Sequence, residues 1–265
     1  MTEEQYRTRW MKRHRRYERE SYRLFSNALK EIVLAIPFNM LTTSNYEIVV
    51  QTSVAKEPIQ NAYNDVYSKI GIAEGKVVGK EINEQLKNFQ LDTFLSQFTR
   101  TLIDWLLLNA DSRVNLVRQS YIDYINEYIK QGIANGQSID DIVNALEKEV
   151  KKRGWYRWQL MRIARTESTA AANHGSQTAA TISGVLTDKV WISAQDARTR
   201  RPPKSQYNHL AMNGVKVAMN EKFNVNGDEI MFPGDPKGAA GNIINCRCTI
   251  GRVVRRDRNG RIIRA

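Results

Sequence analysis

Apolar side chains recur at helical spacing through the first 150 residues, and this periodicity restricts the possible folds more than any other feature. The stretch "QSIDDIVNALEKEVKK" is the clearest example, because its apolar residues follow the i, i+3, i+4, i+7 spacing of one buried helix face. Ser138 and Asp141 are placed to form a capping box at its start. The segments "FLSQFTRTLIDWLLLNA" and "SRVNLVRQSYIDYINEYIKQGIANG" predict a more buried helix and an amphipathic one, the second closed by Gly136. We therefore expect an all-helical domain over residues 1–150.

Three glycines share one face of another predicted helix, "SKIGIAEGKVVGKEINEQL". Gly71, Gly75 and Gly79 are each four residues apart, and glycine lowers helix propensity. The spacing therefore predicts a close approach of a second backbone. We expect the neighbour to be a helix of the same chain, with a second chain as the alternative.

The pattern changes near "KKRGWYRW", after which one long helix is followed by short strand-like pieces rich in turn residues. This order predicts a small α+β domain over residues 151–251. Residues 252–265 form an arginine-rich tail, in which Asn259-Gly260 predicts a hairpin turn. The expected fold class is α+β, with an all-helical domain in front of the small α+β domain and a basic tail behind it.

The formal net charge of +12 and the pI of about 9.7 predict attraction to polyanions such as nucleic acid, acidic protein surfaces or anionic lipid. A basic segment, Arg7 to Arg23, lies near the N-terminus, and the tail carries six arginines against the single acid Asp257. We expect the tail to contact DNA phosphates. The alternative is that Asp257 and neighbouring acids of the folded domain neutralise it, in which case the N-terminal segment becomes the candidate contact. The predicted DNA-binding residues are Arg252, Arg255, Arg256, Arg258, Arg261 and Arg264.

Both cysteines lie in "NIINCRCTIG", where Cys246 and Cys248 flank one arginine. A direct disulfide would be strained at this spacing, which indicates a reducing compartment. A zinc site could combine the thiols with His209 and Asp196, although paired cysteine ligands usually have two to four residues between them. A nucleophilic cysteine paired with His209 is a further alternative. The simplest interpretation is that both thiols pack as small apolar groups while Arg247 points outward.

Other charged positions have simple structural interpretations. Arg165 and Glu167 lie two apart on a predicted helix, so each is expected to pair with a residue elsewhere in the C-terminal domain. The loop with Arg198, Arg200 and Arg201 could hold phosphate or be a solvated charged loop. The N-terminus lacks the pattern of a signal peptide, the apolar runs are too short for a membrane span, and common enzyme motifs are not visible. We therefore expect neither a membrane protein nor an ordinary enzyme.

The order of several landmarks is specific. "RIARTE", "WISAQDARTR", His209, "PGDP" and "NCRC" follow one another as in the Mu F-like domain of tailed-phage minor head proteins, the head morphogenesis family, which the chain resembles over about residues 155–251. The eight residues between Arg200 and His209 are more than relatives typically have, which weakens any site joining Asp196 to His209. The resemblance implies a structural signature made of Arg165, Thr166, Glu167, Trp191, Asp196, His209, Pro233, Asp235, Asn245, Cys246, Arg247 and Cys248.

The resemblance also implies a function. It predicts a minor capsid protein inside the phage head near the portal, present in the host cytoplasm during assembly. The expected partners are the portal protein, capsid or scaffold proteins and double-stranded DNA of any sequence, without a membrane, a cofactor or catalysis. The alternatives are a metal-assisted enzyme acting on nucleic acid or protein through Asp196, His209, Cys246 and Cys248, and a DNA-binding protein delivered with the genome.

Overall fold

A computed structural model describes residues 2–86, 89–152 and 157–264. Its N-terminal part is helical and a small sheet region follows near the C-terminus, so the predicted α+β class is confirmed. The predicted composition change falls partly on residues 153–156, which lie outside the described residues. The helices are α1 (Glu3–Ala35), α2 (Tyr46–Ser53), α3 (Glu57–Val66), α4 (Ile72–Asn83), α5 (Leu91–Ala134), α6 (Ile139–Lys152), α7 (Arg157–Ile182) and α8 (Ala240–Ile243). The strands are β1 (Thr187–Ile192), β2 (Lys216–Ala218), β3 (Phe223–Val225), β4 (Asp228–Ile230) and β5 (Thr249–Val254).

Helix α5 is one continuous helix of 44 residues, so the prediction of two helices in this region is wrong. Neither glycine nor proline occurs in it before Gly132, and nothing therefore interrupts the backbone hydrogen bonds. The leucine-rich stretch is also less buried than predicted, because Leu108 is 85% exposed. The buried residues of this part of α5 lie four positions apart and are Phe94, Phe98, Leu102, Leu106 and Ala110.

The glycine face of α4 packs inside the chain, as predicted. A Cβ atom on Gly75 would lie 2.1 Å from the ring of Phe98 on α5, and one on Gly79 would lie 2.7 Å from Phe94. Near the start of α4, a Cβ on Gly175 of α7 would lie 2.3 Å from the carbonyl oxygen of Gly71. The small residues thus let α4 and the π-helical turn before it approach both α5 and α7.

Local signals between the end of α5 and the start of α6 are confirmed. The Oγ of Ser138 accepts the backbone N–H of Asp141 at 3.1 Å and donates to its carboxylate at 2.6 Å. Before it, Gly136 adopts a φ of 73°, the left-handed conformation that closes a helix. Capping and glycine chemistry therefore set the boundary between α5 and α6.

The C-terminal strands form two small antiparallel sheets. One has the order β2-β1-β5, with Val190 of β1 opposite both Lys216 and Gly251. The other is the β3–β4 hairpin, closed by Asn226-Gly227 with positive φ at both residues. These strands lie in segments predicted as strand-like, but another such segment, "PGDPKGAAGN", forms turns and leads into α8 instead.

The arginine-rich tail belongs to the fold. Its first residues continue β5, and the N–H of Arg255 donates to the carbonyl of Leu186 at 2.9 Å. The predicted turn is present, because the N–H of Gly260 donates to the carbonyl of Asp257 at 3.0 Å. Ile263 then accepts the N–H of Leu186 at 2.9 Å. The tail therefore folds back beside β1.

The largest hydrophobic cluster includes side chains from both sides of residue 150. Trp10 of α1, Tyr121 of α5 and Leu146 of α6 belong to the same cluster as Ala171 of α7 and Ile192 of β1. A second cluster lies between α4, the start of α5 and the end of α7, and a third lies under the strands. The predicted boundaries at 1–150, 151–251 and 252–265 remain a prediction, but packing crosses the first of them. Within the described part of the chain, no helix is long and apolar enough to cross a membrane.

Candidate functional site

The "NCRC" segment lies between α7 and α1, and side chains of both helices hold its backbone. Thr169 donates to the carbonyl of Cys246 at 2.6 Å, and Asn173 donates to that of Cys248 at 3.0 Å. From α1, the indole N–H of Trp10 donates to the carbonyl of Arg247 at 2.9 Å. All these groups are buried, so the hydrogen bonds fix the path of the segment.

Asn245 starts this segment in an unusual conformation. It adopts a φ of 59°, a left-handed conformation that asparagine tolerates better than most residues. Its N–H donates to the hydroxyl of Thr166 at 3.0 Å, and its Oδ1 accepts from Arg165 at 3.1 Å. Three signature residues therefore meet at one corner of the fold.

Arg165 and Glu167 of α7 form their ion pairs with N-terminal helices, so the prediction of ion-pair partners within the C-terminal domain is wrong. Arg165 does also donate to Asn245 of that domain. Arg165 donates to Glu18 of α1 at 2.5 Å. Glu167 forms an ion pair with Arg113 of α5, whose pKa its charge raises. The two residues do point to different sides of the helix, as their spacing predicted. Each ion pair joins α7 to a helix from before residue 135.

Arg247 points inward, which contradicts the prediction that it faces solvent. Its side chain is 5% exposed and forms a two-pronged ion pair with Asp196, one arm of which measures 2.7 Å. Burial by itself raises the pKa of Asp196, but the hydrogen bond and charge of Arg247 dominate and lower it to about 2. Asp196 is thereby ionised and engaged, and it does not join His209.

The two thiols meet one imidazole. The Sγ atoms of Cys246 and Cys248 each lie 3.6 Å from Nδ1 of His209, and all three residues are about 2% exposed. The Nε2 atom of His209 lies 2.6 Å from Oδ1 of Asn242, whose Nδ2 donates to Asp228 at 2.7 Å. His209 thus forms one buried cluster with Cys246 and Cys248, which lie 37 and 39 positions later in the sequence. We call these three residues the Cys-His cluster.

The thiols of the Cys-His cluster affect one another's ionisation. Burial raises the pKa of both, but the hydrogen bond from Cys248 and the proximity of His209 lower that of Cys246 below its usual value. The pKa of Cys248 is raised by burial and then further by Cys246. The pair therefore favours ionisation of Cys246 over Cys248.

The remaining signature residues support this region. Trp191 is fully buried and meets the ring of His209 edge to face, with ring centroids 5.2 Å apart. The carbonyl of Pro233 accepts from Asn173 at 2.8 Å. Asp235 accepts the N–H of Met231 at 2.8 Å and thereby closes the "PGDP" turn against α7. These roles are structural.

Sequence reasoning missed several buried polar groups. Lys189 is fully buried in β1 and donates to the carbonyl of Met231 at 2.8 Å, and burial lowers its pKa to about 8. His14 contacts Thr169 at 2.7 Å, and burial lowers its pKa to about 3. Side chains alternate between the two faces of a strand, so Lys189 and Trp191 of β1 point to the same face. This alternation could have identified the lysine as inward-facing.

The tail arginines do not form a free cationic arm. The side chain of Arg252 is 6% exposed and pairs with Glu81 at 2.5 Å, which argues against its predicted contact with DNA. Arg255 pairs with Asp188, and Arg256 donates to the carbonyl of Gly260 at 2.9 Å. The exposed arginines that remain are Arg258, Arg261 and Arg264. Of the predicted phosphate-binding loop, Arg200 donates to the carbonyl of Ile244, whereas Arg198 and Arg201 are exposed.

Helix α1 presents a row of exposed basic side chains on the face opposite its buried stripe. The row consists of Arg9, Lys12, Arg16 and Arg19, spaced three, four and three residues apart. At 1.5 Å rise per residue it extends over about 15 Å of helix. Within the described ranges, no ion pair or hydrogen bond engages these four side chains. We call them the α1 basic row.

Comparison with known proteins gives a family match for the C-terminal half of the chain. Residues 123–251 match a family described as phage Mu protein F like protein, a range that starts earlier than the predicted 155. An uncharacterized protein of Bacillus subtilis strain 168, YqbB, is 25% identical over 154 residues, which are 57% of this chain. The aligned part is 48% of that relative, so the chain spans about half its length. No solved structure matches. Residues 123–251 therefore form a region similar to the phage Mu protein F like family, and this match supports the predicted Mu F-like head morphogenesis family.

Proposed function

We propose that this protein is a minor capsid protein of a tailed phage or prophage, located inside the head near the portal and in contact with packaged DNA. The observation that carries the proposal is the Mu F-like domain over residues 123–251. The charge of +12 and the α1 basic row support a location beside DNA. The portal protein and capsid or scaffold proteins are the proposed protein partners.

The proposed DNA contact lies on α1 instead of the tail. The α1 basic row is exposed, helical and held against the domain by Tyr6 and Trp10, whose side chains donate to the carbonyls of Ile250 and Arg247. A rigid row of cations can engage successive phosphates without ordering a flexible arm, and phosphate contacts carry no base information. The proposal therefore predicts binding that depends on salt and not on DNA sequence.

The proposed role includes no catalytic step. The competing metal-assisted enzyme would use Asp196 together with the Cys-His cluster. The carboxylate of Asp196 is instead engaged by Arg247, and His209, Cys246 and Cys248 are each about 2% exposed. We therefore assign these residues to the stability of the signature region.

A salt titration of DNA affinity tests the proposed contact with two variants of equal charge change. One replaces Arg9, Lys12 and Arg16 by Gln, and the control replaces Arg258, Arg261 and Arg264 by Gln. Each lost phosphate contact flattens the slope of log affinity against log salt by about 0.9, so the α1 variant should lose about 2.7. The tail variant should keep the slope of the unmodified protein, on two duplexes of unrelated sequence.

Three results would contradict parts of the proposal. A loss confined to the tail variant would move the contact to the C-terminus, against the α1 assignment. Affinity that differs strongly between the two duplexes would contradict phosphate-only recognition. An unmodified protein without salt-dependent affinity would remove DNA from the proposed partners.

A further inference from the structure

The Cys-His cluster has the composition and geometry of a metal site. With Zn–S bonds of about 2.3 Å and Zn–N bonds of about 2.0–2.1 Å at a tetrahedral angle, a sulfur and a nitrogen ligand lie about 3.5 Å apart. Nδ1 of His209 lies 3.6 Å from the Sγ atom of Cys246 and 3.6 Å from that of Cys248. Both distances therefore suit a shared zinc ion.

The hydrogen bonds around His209 orient the ring for coordination. Because Nδ2 of Asn242 donates to the carboxylate of Asp228, the amide oxygen of Asn242 faces Nε2 of His209 at 2.6 Å. An oxygen acceptor at Nε2 requires the proton to be there, which leaves the lone pair of Nδ1 directed at the thiols. Such support from a second set of residues, reaching a carboxylate, is typical of histidine ligands of zinc.

A single lone pair does not satisfy two thiols. Nδ1 can accept one hydrogen bond, yet both sulfurs lie at the same distance from it. The competing arrangement is a chain in which one thiol donates to the other and the second donates to Nδ1. One metal ion bound by both sulfurs and Nδ1 satisfies all three groups at once.

A buried N–H donor lies beside the Cys-His cluster. The indole ring of Trp191 lies in the same hydrophobic core cluster as Cys246 and Cys248, and its centroid is 5.2 Å from that of His209. That indole nitrogen is buried and has no hydrogen-bond partner among the residues that the structure describes. N–H donors of this kind stabilise negatively charged sulfur ligands.

We propose that His209, Cys246 and Cys248 bind one zinc ion as a structural site that holds the "NCRC" segment to the loop containing His209. Binding displaces both thiol protons, so the two sulfurs coordinate as thiolates and imidazole as the neutral ligand. In the described part of the chain, no further histidine, cysteine or acidic side chain joins these three as a fourth ligand. The fourth coordination position is therefore left to a water molecule or a backbone carbonyl. Two sulfurs and one nitrogen suit zinc better than magnesium or calcium.

Metal content of the full chain tests this site. The protein is purified under reducing conditions, stripped with a chelator and titrated with Zn²⁺, and bound metal is measured by mass spectrometry after gel filtration. We expect about one equivalent of zinc and release of protons on binding. Co²⁺ in its place should give the sulfur-to-cobalt charge-transfer absorption of thiolate ligands.

Cys246→Ser and Cys248→Ser, made singly, should each weaken zinc binding at least about tenfold and reduce the charge-transfer band. His174→Gln, which removes another buried histidine that packs on Trp105 and is not part of the cluster, is the matched control and should keep the metal. If a serine variant does not fold, the zinc content and cobalt spectrum of the unmodified chain still test whether the site binds metal through thiolates.

Less than about a tenth of an equivalent of zinc at saturating Zn²⁺ would overturn the proposal and favour the thiol hydrogen-bond chain. Folded serine variants that keep the unmodified chain's zinc content would also overturn it. Neither result bears on the DNA titration, because the α1 basic row and the Cys-His cluster share no residue.

Discussion

Gly75→Leu should destabilise the protein, because α4 has no room for a side chain at this position. A Cβ atom there would lie 2.1 Å from Cε1 and Cζ of Phe98, whereas carbon atoms in contact are normally about 3.5–4.0 Å apart. The ring or the helix would have to move by about 1.5 Å. Phe98 is fully buried in the second cluster, so neither can move without disturbing other side chains.

The magnitude follows from two opposing effects. Overpacking a core typically costs about 1–3 kcal/mol, and leucine exceeds the available space by more than one methylene. Replacing glycine in a helix returns up to about 1 kcal/mol of propensity. A net loss of about 2 kcal/mol should lower the melting temperature by about 4–8 °C for a chain of this size.

Thermal denaturation of four variants tests the contact: Gly75→Leu, Lys76→Leu, Phe98→Ala and the double variant Gly75→Leu with Phe98→Ala. Lys76→Leu places the same side chain at the next, exposed position of α4 and should change the melting temperature little. Combining Gly75→Leu with Phe98→Ala should cost less than the sum of the two single changes, because leucine then fills the vacated space. An unchanged melting temperature for Gly75→Leu, or strict additivity in the double variant, would refute the close contact.

Three further predictions concern the signature region. Thr169→Val should cost about 1–3 kcal/mol in chemical denaturation, because the carbonyl of Cys246 and the ring of His14 each lose a buried partner; exposed Thr101→Val is the control, and an equal effect there would contradict the argument. Asp196 has a folded pKa of about 2 against an ordinary 3.8, so its contribution is present above pH about 4 and is lost as the pH falls towards 2. Asp196→Asn should therefore be less stable than the unmodified protein at neutral pH, with a difference that shrinks over this window, and a constant difference would contradict it. The fragment 151–265 should not give a cooperative melting transition by itself, because it lacks Glu18, Arg113 and Trp10; a sharp transition near that of the full chain would contradict the shared core.

Local features of the fold were predictable from the sequence. The cap of α6, the glycine face of α4 and the Asn226-Gly227 hairpin depend on residues within a few positions of one another, which local patterns encode. The break predicted inside α5 was wrong because a change in apolar density does not interrupt a helix. Only a residue that disturbs the backbone hydrogen bonds does so.

The site was less predictable, because its partners are distant in sequence. Arg165 and Glu18 lie 147 positions apart, and Arg113 and Glu167 lie 54 apart. Spacing within the signature therefore showed which residues matter together but not that N-terminal helices complete their ion pairs. Likewise, the arginines of the tail looked free because Glu81, the partner of Arg252, lies on another element.

The most direct test of the account is protein mass spectrometry of purified procapsids and finished virions of the phage that encodes this chain, with copy number relative to the portal protein. We expect the chain to be present in particles in few copies compared with the major capsid protein. It should stay protected from added protease while the head is intact. Absence from both procapsids and finished virions would contradict the central claim that this is a head protein, and protease access in intact heads would contradict the interior location.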